Sequence, residues 1–374
     1  MKSVVLFSVN GVGIQMYTLQ LANALAPFAR VTYAIDIRNY ETRYDAIDPR
    51  ITLLKYRHPR LREIGGVAEF HRLAKEIRKI QPDIFHLQGD GAWESLLLRF
   101  LAGIKIVNTV HDPIKHIDQR TYINNWTMKD AVKRASGWVL HSEGLKKVFI
   151  ERNRVNKENI LIHPLGIYEY YCRYATPPGK RENSIFFFGK PRVNKGLDIL
   201  LEAFERVADQ IPDWKIIMAG PGYEGHLQNS LLLKKNDRYI VHNRYISDAG
   251  ASDLFSKSGI VVLPYRHGSQ SAILAMAAAF SCPVLATRVG NIPEILTDNI
   301  HALLVEPENT EELSCKLLEL ATNEALRARL GENLHTLAQR EWSWEEIAEK
   351  TLQFYQKVIN DQVSTRLNII DTPV

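Results

Sequence analysis

Cysteine is scarce in this chain, and long apolar runs are missing altogether. The 374 residues include only three cysteines, Cys172, Cys282 and Cys315, without the pairing or spacing of a disulfide framework or a zinc site. No window approaches the roughly 18 consecutive apolar residues that a membrane-spanning helix needs. These absences argue against a disulfide-stapled secreted domain and an integral membrane protein, and they favour a reducing, cytoplasmic compartment.

We do not expect the first residues to act as a secretory signal. The apolar start from Val4 ends at Asn10 and Gly11, and no small-residue cleavage site follows. We expect this start to form a first β-strand.

Positive charge is concentrated in the first half of the chain. Residues 1–172 hold 25 Lys and Arg against 17 Asp and Glu, whereas residues 173–374 hold 22 against 25. Such an excess suits an anionic partner, either a membrane surface or a phosphorylated acceptor, and is equally consistent with a solvated basic face. No aromatic-interleaved basic strand or recognition helix is present, so a nucleic-acid partner is not expected.

Short β-branched runs alternate with longer helical patterns, which is typical of parallel sheets joined by helices. A first series of strands is predicted at Val4–Val9, Arg30–Ile35, Ile51–Tyr56, Ile84–Leu87, Ile104–Val110, Gly137–His141 and Ile160–Pro164. A second series is predicted at Ser184–Phe188, Lys215–Ala219, Tyr239–Val241, Ile260–Pro264 and Pro283–Thr287. The clearest helical patterns cover Gln15–Leu25, Gly196–Gln210, Gln270–Phe280 and Ser343–Ile359.

A composition change separates the two series. Residues 176–180 contain two prolines and a glycine, which sustain neither a helix nor a central strand. Length alone favours about two domains. The sequence therefore predicts an N-terminal domain over 1–171, a linker over 172–183, a C-terminal domain over 184–342, and a final helix and tail over 343–374.

The first candidate site is the turn Gly11, Val12 and Gly13 between a predicted strand and a helix. Glycines let backbone N–H groups approach an anion at a helix N-terminus. A simple tight turn would use the same residues, so both interpretations stay open.

The second candidate is a loop that directly precedes a predicted helix. It contains three cations, Lys190, Arg192 and Lys195. Clustered cations beside a helix N-terminus suit a diphosphate whose charge grows as it leaves. A solvated basic loop is the alternative.

The third candidate follows the strand that ends at Pro264. Ser269, Gln270 and Ser271 offer donors to phosphate oxygens or sugar hydroxyls, or form an ordinary helix N-cap. His111, directly after a predicted strand, is the histidine most open to a functional role; its alternative is a loop-capping residue.

Ordered sequence stretches across nearly the whole chain carry a family resemblance: Gln81–Gln88, Thr109–Asp112, His163–Ile167, Phe188–Phe204, Ala219–Gly222, Pro283–Thr287, Gly290–Glu294 and Trp342–Glu345. In this order they resemble the retaining glycosyltransferases of the large family 4 group. The resemblance implies an α/β protein of GT-B fold, with two facing Rossmann-like domains, a central cleft and a C-terminal helix crossing back to the N-terminal domain.

The resemblance also implies roles for individual residues. Lys195 would bind the donor diphosphate, and Lys190 occupies the place of the family's usual arginine. His111 would line the donor sugar, and Gly11 to Gly13 would close over the phosphates. The segment from His242, with Arg244, Tyr245 and Ile246, would border the nucleobase, with Arg244 replacing the family's usual glycine.

One departure from the family concerns two glutamates that normally contact the donor sugar and the ribose. In this chain the two positions are occupied by Gly268 and Met276. Met276 is also one of the residues that we expect to bind the donor. Three interpretations follow: an active branch that grips the donor through Ser269, Gln270 and Ser271, a changed donor, or a protein that binds without turnover.

The implied reaction is retaining transfer of a hexose-type sugar from a UDP- or GDP-linked donor to an oligosaccharide or lipid-linked acceptor in cell-surface polysaccharide or lipopolysaccharide assembly. The variable segments Arg57–Arg72 and Lys115–Lys133 would contact that acceptor. No Asp-x-Asp motif ends a strand, so the sequence predicts a metal-independent enzyme without a cofactor. The alternatives are a nucleotide-sugar epimerase and a non-catalytic binding protein within a glycosyltransferase complex.

Overall fold

A computed structural model of the chain describes residues 2–9, 11–38, 43–60, 63, 65–112, 122–175, 181–224 and 237–361. The chain divides into two compact units. Unit 1 comprises Met1–His163 together with Trp344–Val374, and unit 2 comprises Pro164–Ser343.

Unit 1 is built on a seven-stranded parallel sheet with the strand order β3-β2-β1-β4-β5-β6-β7. Every residue of β1 is buried, as expected for a central strand of a sheet covered on both faces. Leu6 is in register with Tyr33 on one side and with His86 on the other. The strands are β1 (Ser3–Ser8), β2 (Arg30–Asp36), β3 (Thr52–Tyr56), β4 (Ile84–Gln88), β5 (Ile106–Thr109), β6 (Gly137–Leu140) and β7 (Ile160–Ile162).

The helices of unit 1 connect these strands in chain order. They are α1 (Val12–Leu25), α2 (Gly66–Ile80), α3 (Ala92–Phe100), α4 (Tyr122–Arg134) and α5 (Glu143–Asn153). In α2 the apolar residues recur at helical spacing, and Phe70, Leu73 and Ile77 are buried against the sheet.

The last helix among the described residues, which we number α12 (Trp344–Asn360), belongs to unit 1. Lys2 donates from its Nζ to the carbonyl of Leu352, and Tyr355 bonds to His86 on β4. A Cβ added at Gly137 would lie 2.7 Å from the ring of Phe354, so this glycine lets the helix approach β6 closely.

Unit 2 repeats the architecture with a six-stranded parallel sheet in the order β10-β9-β8-β11-β12-β13. Its strands are β8 (Ser184–Phe188), β9 (Lys215–Ala219), β10 (Tyr239–His242), β11 (Ile260–Leu263), β12 (Val284–Thr287) and β13 (Leu303–Val305). Its helices are α6 (Leu197–Val207), α7 (Asp248–Lys257), α8 (Ala272–Ala279), α9 (Ile292–Ile295), α10 (Thr310–Thr322) and α11 (Glu324–Glu341). Within the described ranges, every helix is too short or too polar to traverse a bilayer.

The division between the units falls at His163 and Pro164, before the linker that the composition predicted at 172–183. The reason is that the following segment packs on unit 2. Tyr168 donates its backbone N–H to the carbonyl of Ala275, and Tyr170 bonds through its hydroxyl to Asp248. Within the predicted linker, residues 176–180 lie outside the described residues.

Candidate functional site

The strand order of unit 2 reverses between β8 and β11, and in open α/β sheets ligands bind beyond the strand ends at such a point. The loop after β8 and the loop after β11 both leave the sheet there. These are the two loops in which the sequence places the cations Lys190 and Lys195 and the polar run from Ser269 to Ser271.

A glycine lets the two loops meet. Gly196 has a φ of 64°, and a Cβ at this position would lie 1.9 Å from the carbonyl oxygen of Pro264. Only glycine combines this left-handed conformation with so close an approach. The cationic loop is therefore held against the end of β11, directly before α6 begins at Leu197.

Lys195 is placed by an aromatic ring from the other loop. Its Nζ lies 3.8 Å from the centroid of Tyr265, a distance at which the ammonium is attracted to the ring face. The Tyr265 hydroxyl lies 3.1 Å from Oγ of Ser271, and Ser271 Oγ accepts the N–H of Leu274 at 3.3 Å. Ser271 thus caps α8 and also fixes the ring beneath Lys195.

Lys190 is exposed and follows the same strand end. A Cβ at Gly222, in the loop after β9, would lie 3.3 Å from Cε of Lys190, so the lysine stem runs beside this loop. Asn243, in the loop after β10, accepts the backbone N–H groups of Gly222 and Tyr223 at 3.0 and 3.1 Å. The loops after β8, β9 and β10 are in this way tied together around Lys190.

Arg266 is occupied by structural contacts. It binds both carboxylate oxygens of Asp198 at 2.8 and 2.6 Å, Glu308 at 3.1 Å and the carbonyl of Val193 at 2.8 Å. The hydrogen bonds that Arg266 donates to the Asp198 carboxylate raise the pKa of Arg266 above its ordinary value. This arginine braces the cationic loop through its contact with Val193.

The other predicted donor residues of unit 2 differ in exposure. Arg244 is exposed, Tyr245 is 48% exposed, and Ile246 is half-buried. Their loop ends at Ser247, which caps α7 through its hydroxyl. Donor contact by these residues stays a prediction.

In the loop after β11, Ser269 is buried and its carbonyl accepts the N–H of Asn291 at 3.0 Å, while Gln270 is half-buried. Met276, in α8, is only 4% exposed and packs within the unit, so its side chain presents almost no surface to a donor. Of the two interpretations left open for Ser271, the structure displays the N-cap.

In unit 1 the predicted glycine turn lies where β1 leads into α1. Gly11 precedes the helix with a φ of 154°, and Gly13 lies in the first helical turn with open space around its Cβ position. Val12 is the first residue of α1. The turn follows a strand end at the point where the order of this sheet reverses, between β1 and β4.

Three histidines converge at the carboxyl ends of β5, β6 and β7. His141 Nδ1 lies 3.1 Å from the carbonyl oxygen of His163, and His141 Nε2 lies 3.3 Å from Nδ1 of His111. The rings of His111 and His141 are stacked with centroids 5.2 Å apart. Burial is the main reason that the pKa of His141 lies well below its ordinary value, so this imidazole is neutral.

Tyr17 from α1 forms the centre of this cluster. Its ring makes edge contacts with His111 at 5.2 Å, His141 at 5.4 Å and Trp344 at 5.4 Å between centroids. Its hydroxyl lies 3.3 Å from Nε2 of His163. The Tyr17 ring of α1 therefore contacts His111 directly, and Trp344 of α12 packs against that same Tyr17 ring. In the described part of the chain, no group of three or more His, Cys, Asp or Glu side chains is arranged to hold a metal ion.

The predicted site residues thus form two groups, one in each unit. Gly11, Val12, Gly13 and His111 lie at strand ends of unit 1, and the remainder lie in unit 2. Sequence reasoning missed Tyr17, Tyr265 and Asn243 as supports. His141 was visible as a polar strand end, but only the order of parallel strands shows that it meets His111.

Each unit is a Rossmann-like domain, and together they give the chain the GT-B fold that its motifs predicted. The profile described as Glycosyltransferase Family 4 matches residues 12–168, and the profile described as Glycosyl transferases group 1 matches residues 182–323. These two matches cover most of the sequence, and the chain belongs to the group 1, family 4 glycosyltransferases.

Several characterised and uncharacterised proteins are similar in sequence. The chain is 32% identical over 173 residues to an uncharacterised glycosyltransferase of Methanocaldococcus jannaschii, covering 46% of this chain and 47% of that protein. It is 24% identical over 266 residues to one polypeptide of human phosphatidylinositol N-acetylglucosaminyltransferase, covering 68% and 53%. It is 26% identical over 277 residues to the MMP alpha-(1->4)-mannosyltransferase of Mycolicibacterium hassiacum, covering 69% and 66%. The chain spans about half the length of the first two of these curated relatives.

Solved structures share the fold at low identity. Sucrose-phosphate synthase from Thermosynechococcus elongatus superposes with a TM-score of 0.74 at 18% identity, covering 96% of this chain and 99% of that one. Anabaena HepE, solved in complex with UDP and glucose, gives a TM-score of 0.74 at 15% identity, covering 95% and 100%.

Proposed function

We propose that the protein transfers a hexose-type sugar from a nucleoside diphosphate sugar to an oligosaccharide or lipid-linked acceptor, with retention of anomeric configuration. The observation that carries this proposal is the placement of Lys195 at the strand-order reversal of unit 2, beside the start of α6. Positive charge and a helix N-terminus at one point suit a diphosphate leaving group.

The donor diphosphate would be bound by Lys195 and Lys190. As the bond between the sugar and the diphosphate breaks, negative charge grows on the phosphate oxygens, and fixed cations stabilise that charge. Lysine can supply this counter-charge in place of a divalent ion, so we propose a metal-independent reaction. Activity unchanged by EDTA is expected, and activity restored only by added Mg²⁺ or Mn²⁺ would contradict it.

His111 would contact the donor sugar, and the acceptor would attack on the face from which the diphosphate leaves. This retaining course assigns no nucleophile to the protein, whose contribution is positioning and charge stabilisation. The product of a retaining transfer keeps the anomeric configuration of the donor, which NMR coupling constants of the first-formed product report.

The acceptor proposal rests on surface features of unit 1 and on relatives. Two relatives are named for phosphatidylinositol N-acetylglucosaminyl transfer and for alpha-(1->4) mannosyl transfer. Trp126 on α4 is 51% exposed, and Arg99 lies 5.5 Å from its ring centroid. Lys129 and Lys133 are exposed on the same helix. An exposed indole among cations suits peripheral contact with an anionic membrane that carries a lipid-linked acceptor.

A nucleotide screen tests the donor proposal. Thermal unfolding is followed with UDP, GDP, ADP and their common sugar conjugates, because a ligand that binds only the native state raises the midpoint as its concentration rises. Any sugar conjugate that binds is then assayed for hydrolysis and for transfer to lipid-linked oligosaccharide. We expect one base to be preferred and its sugar conjugate to turn over.

Three outcomes would contradict parts of this proposal. Binding without hydrolysis or transfer would support a non-catalytic protein that binds nucleotide sugars. Interconversion of the free nucleotide sugars, without transfer, would support an epimerase. If none of the nucleotides raises the midpoint of thermal unfolding, the proposed donor site is contradicted.

A further inference from the structure

We propose that His141 is a positioning residue that fixes the tautomer and orientation of His111, so that His111 presents Nε2 as a hydrogen-bond acceptor to a substrate hydroxyl. The claim that His111 contacts a substrate hydroxyl rests on the proposed function. The hydrogen-bond chain itself stands on the geometry of unit 1.

The chain of hydrogen bonds has one consistent direction. The carbonyl oxygen of His163 can only accept, so His141 must carry its proton on Nδ1, 3.1 Å away. In a neutral imidazole the other nitrogen then has a lone pair, and His141 Nε2 accepts. The partner 3.3 Å from it, Nδ1 of His111, must therefore donate.

Burial keeps His141 in this neutral form. The side chain is 1% exposed, and desolvation is the largest cause of its lowered pKa, followed by the neighbouring His111 and His163. With Nδ1 of His111 committed as a donor, the neutral form of His111 has its lone pair on Nε2.

This assignment limits what His111 can recognise. A lone pair on Nε2 accepts a hydrogen bond from a hydroxyl and repels a carboxylate or phosphate oxygen. The matching group on a sugar is a hydroxyl.

The surrounding rings keep the pair in place. Tyr17 contacts both imidazoles at centroid distances of 5.2 and 5.4 Å, and the Tyr17 ring is itself buried. The strand ends of β5 and β6, which pair in parallel register, set the spacing of the two histidines. A substitution at position 141 therefore changes the hydrogen-bond partner of His111, while the strand ends and the Tyr17 ring keep their positions.

Two amide variants separate the two bonds of His141. In His141→Gln the amide oxygen can reach the former position of Nε2 and accept from His111, but the bond to the His163 carbonyl is weakened. In His141→Asn the shorter amide can still donate to that carbonyl, but it leaves His111 Nδ1 without this acceptor. A merely structural role for His141 would make the two variants behave alike or favour Asn.

The readout is the tautomer of His111. Long-range ¹H–¹⁵N correlation spectra of ¹⁵N-histidine-labelled full-length protein distinguish Nδ1–H from Nε2–H imidazoles, and the spectrum of His111→Gln assigns the signal. We expect the Nδ1–H form in the wild type and in His141→Gln, and a mixture of tautomers in His141→Asn. An Nε2–H form in the wild type, or identical His111 signals in both His141 variants, would overturn the proposal.

Activity gives a second, separable result. With the nucleotide sugar identified by the screen, kcat of His141→Asn should fall about tenfold, while that of His141→Gln stays within about threefold, the size of effect expected from one hydrogen bond. If His111 of the wild type shows the expected tautomer but the protein transfers no sugar, the hydrogen-bond chain is supported. The function proposed for the protein is then contradicted. Thermal midpoints of both variants close to that of the wild type establish that neither result reflects unfolding.

Discussion

Lys195 holds its ammonium nitrogen 3.8 Å from the centre of the Tyr265 ring, although the two residues come from different loops of unit 2. The ring is fixed at its hydroxyl end by the hydrogen bond of 3.1 Å between that hydroxyl and Ser271. A lysine has a flexible stem, and a cation held over a ring loses less freedom when it meets an anion.

Tyr265→Leu should therefore weaken nucleoside diphosphate binding. A cation–π contact contributes about 0.5–2 kcal/mol, which corresponds to roughly a 2- to 30-fold rise in Kd. Tyr265→Phe keeps the ring and loses only the bond to Ser271, so its Kd should stay near that of the wild type. Calorimetric titration measures both values. Equal losses in the Leu and Phe variants would show that the ring face does not position Lys195.

Gly196→Ala should destabilise unit 2 strongly. The added methyl would lie 1.9 Å from the Pro264 carbonyl in a left-handed conformation, and the combined cost is about 2–4 kcal/mol. Gly268→Ala in the facing loop is the matched control, because its nearest atom would be Tyr265 Cδ2 at 3.9 Å. Urea denaturation should show a loss for Gly196→Ala alone. If Gly268→Ala lost as much stability as Gly196→Ala, the close approach of residue 196 to the Pro264 carbonyl would be refuted.

Buried neutral histidines should make unit 1 sensitive to acid. Burial lowers the pKa of His86 from 6.5 to about 3, so between these values the unfolded chain binds a proton that the native chain does not. Stability is then highest above about pH 6.5 and falls as the pH drops, by roughly 2 kcal/mol at pH 5 from this residue alone. Free energies of unfolding at pH 7.5 and pH 5 measure the loss.

His86→Gln is the control for that measurement. It weakens the bonds of His86 to Tyr355 and Thr109, so the variant should be less stable at pH 7.5. Its stability should nevertheless fall less between pH 7.5 and pH 5, because one titrating group is gone. Parallel pH profiles for the variant and the wild type would exclude His86 as a source of acid sensitivity.

Thiol labelling should single out one cysteine. Cys315 is exposed, whereas burial raises the pKa of Cys172 to about 11 and also raises that of Cys282. Because the thiolate is the reactive form, iodoacetamide should modify Cys315 first in the native protein. Mass spectrometry of the wild type and of Cys315→Ser measures this. Rapid labelling of the Ser variant would indicate that Cys172 or Cys282 is accessible and reactive, and would contradict the prediction.

Much of the fold could be predicted from sequence because parallel strands buried on both faces read as apolar runs. The strand Ser184–Phe188 was predicted with the bounds that the structure has. The strand Leu303–Val305 was missed, since three residues carry too little periodicity. The two compact units divide at His163 and Pro164, ahead of the predicted linker, because the segment that follows packs on unit 2 through contacts such as that of Tyr170 with Asp248.

The candidate site was less predictable because its supports come from distant parts of the chain. The cations of the loop after β8 were visible locally, but the ring under Lys195 comes from the loop after β11. Likewise, His111 and His141 are separated by 30 positions and meet only because β5 and β6 are neighbours. Such contacts depend on strand order, which no local motif encodes.

The central claim is that Lys195 binds the diphosphate of a nucleotide donor. The most direct test is calorimetric titration of UDP, GDP and ADP into the wild type, Lys195→Ala and the control Lys316→Ala, whose lysine pairs with Glu319 on α10. Losing a charge-assisted contact should raise the Kd of the preferred nucleotide at least about tenfold in Lys195→Ala and leave Lys316→Ala unchanged. An unchanged Kd in Lys195→Ala, with the protein still folded, would contradict the claim.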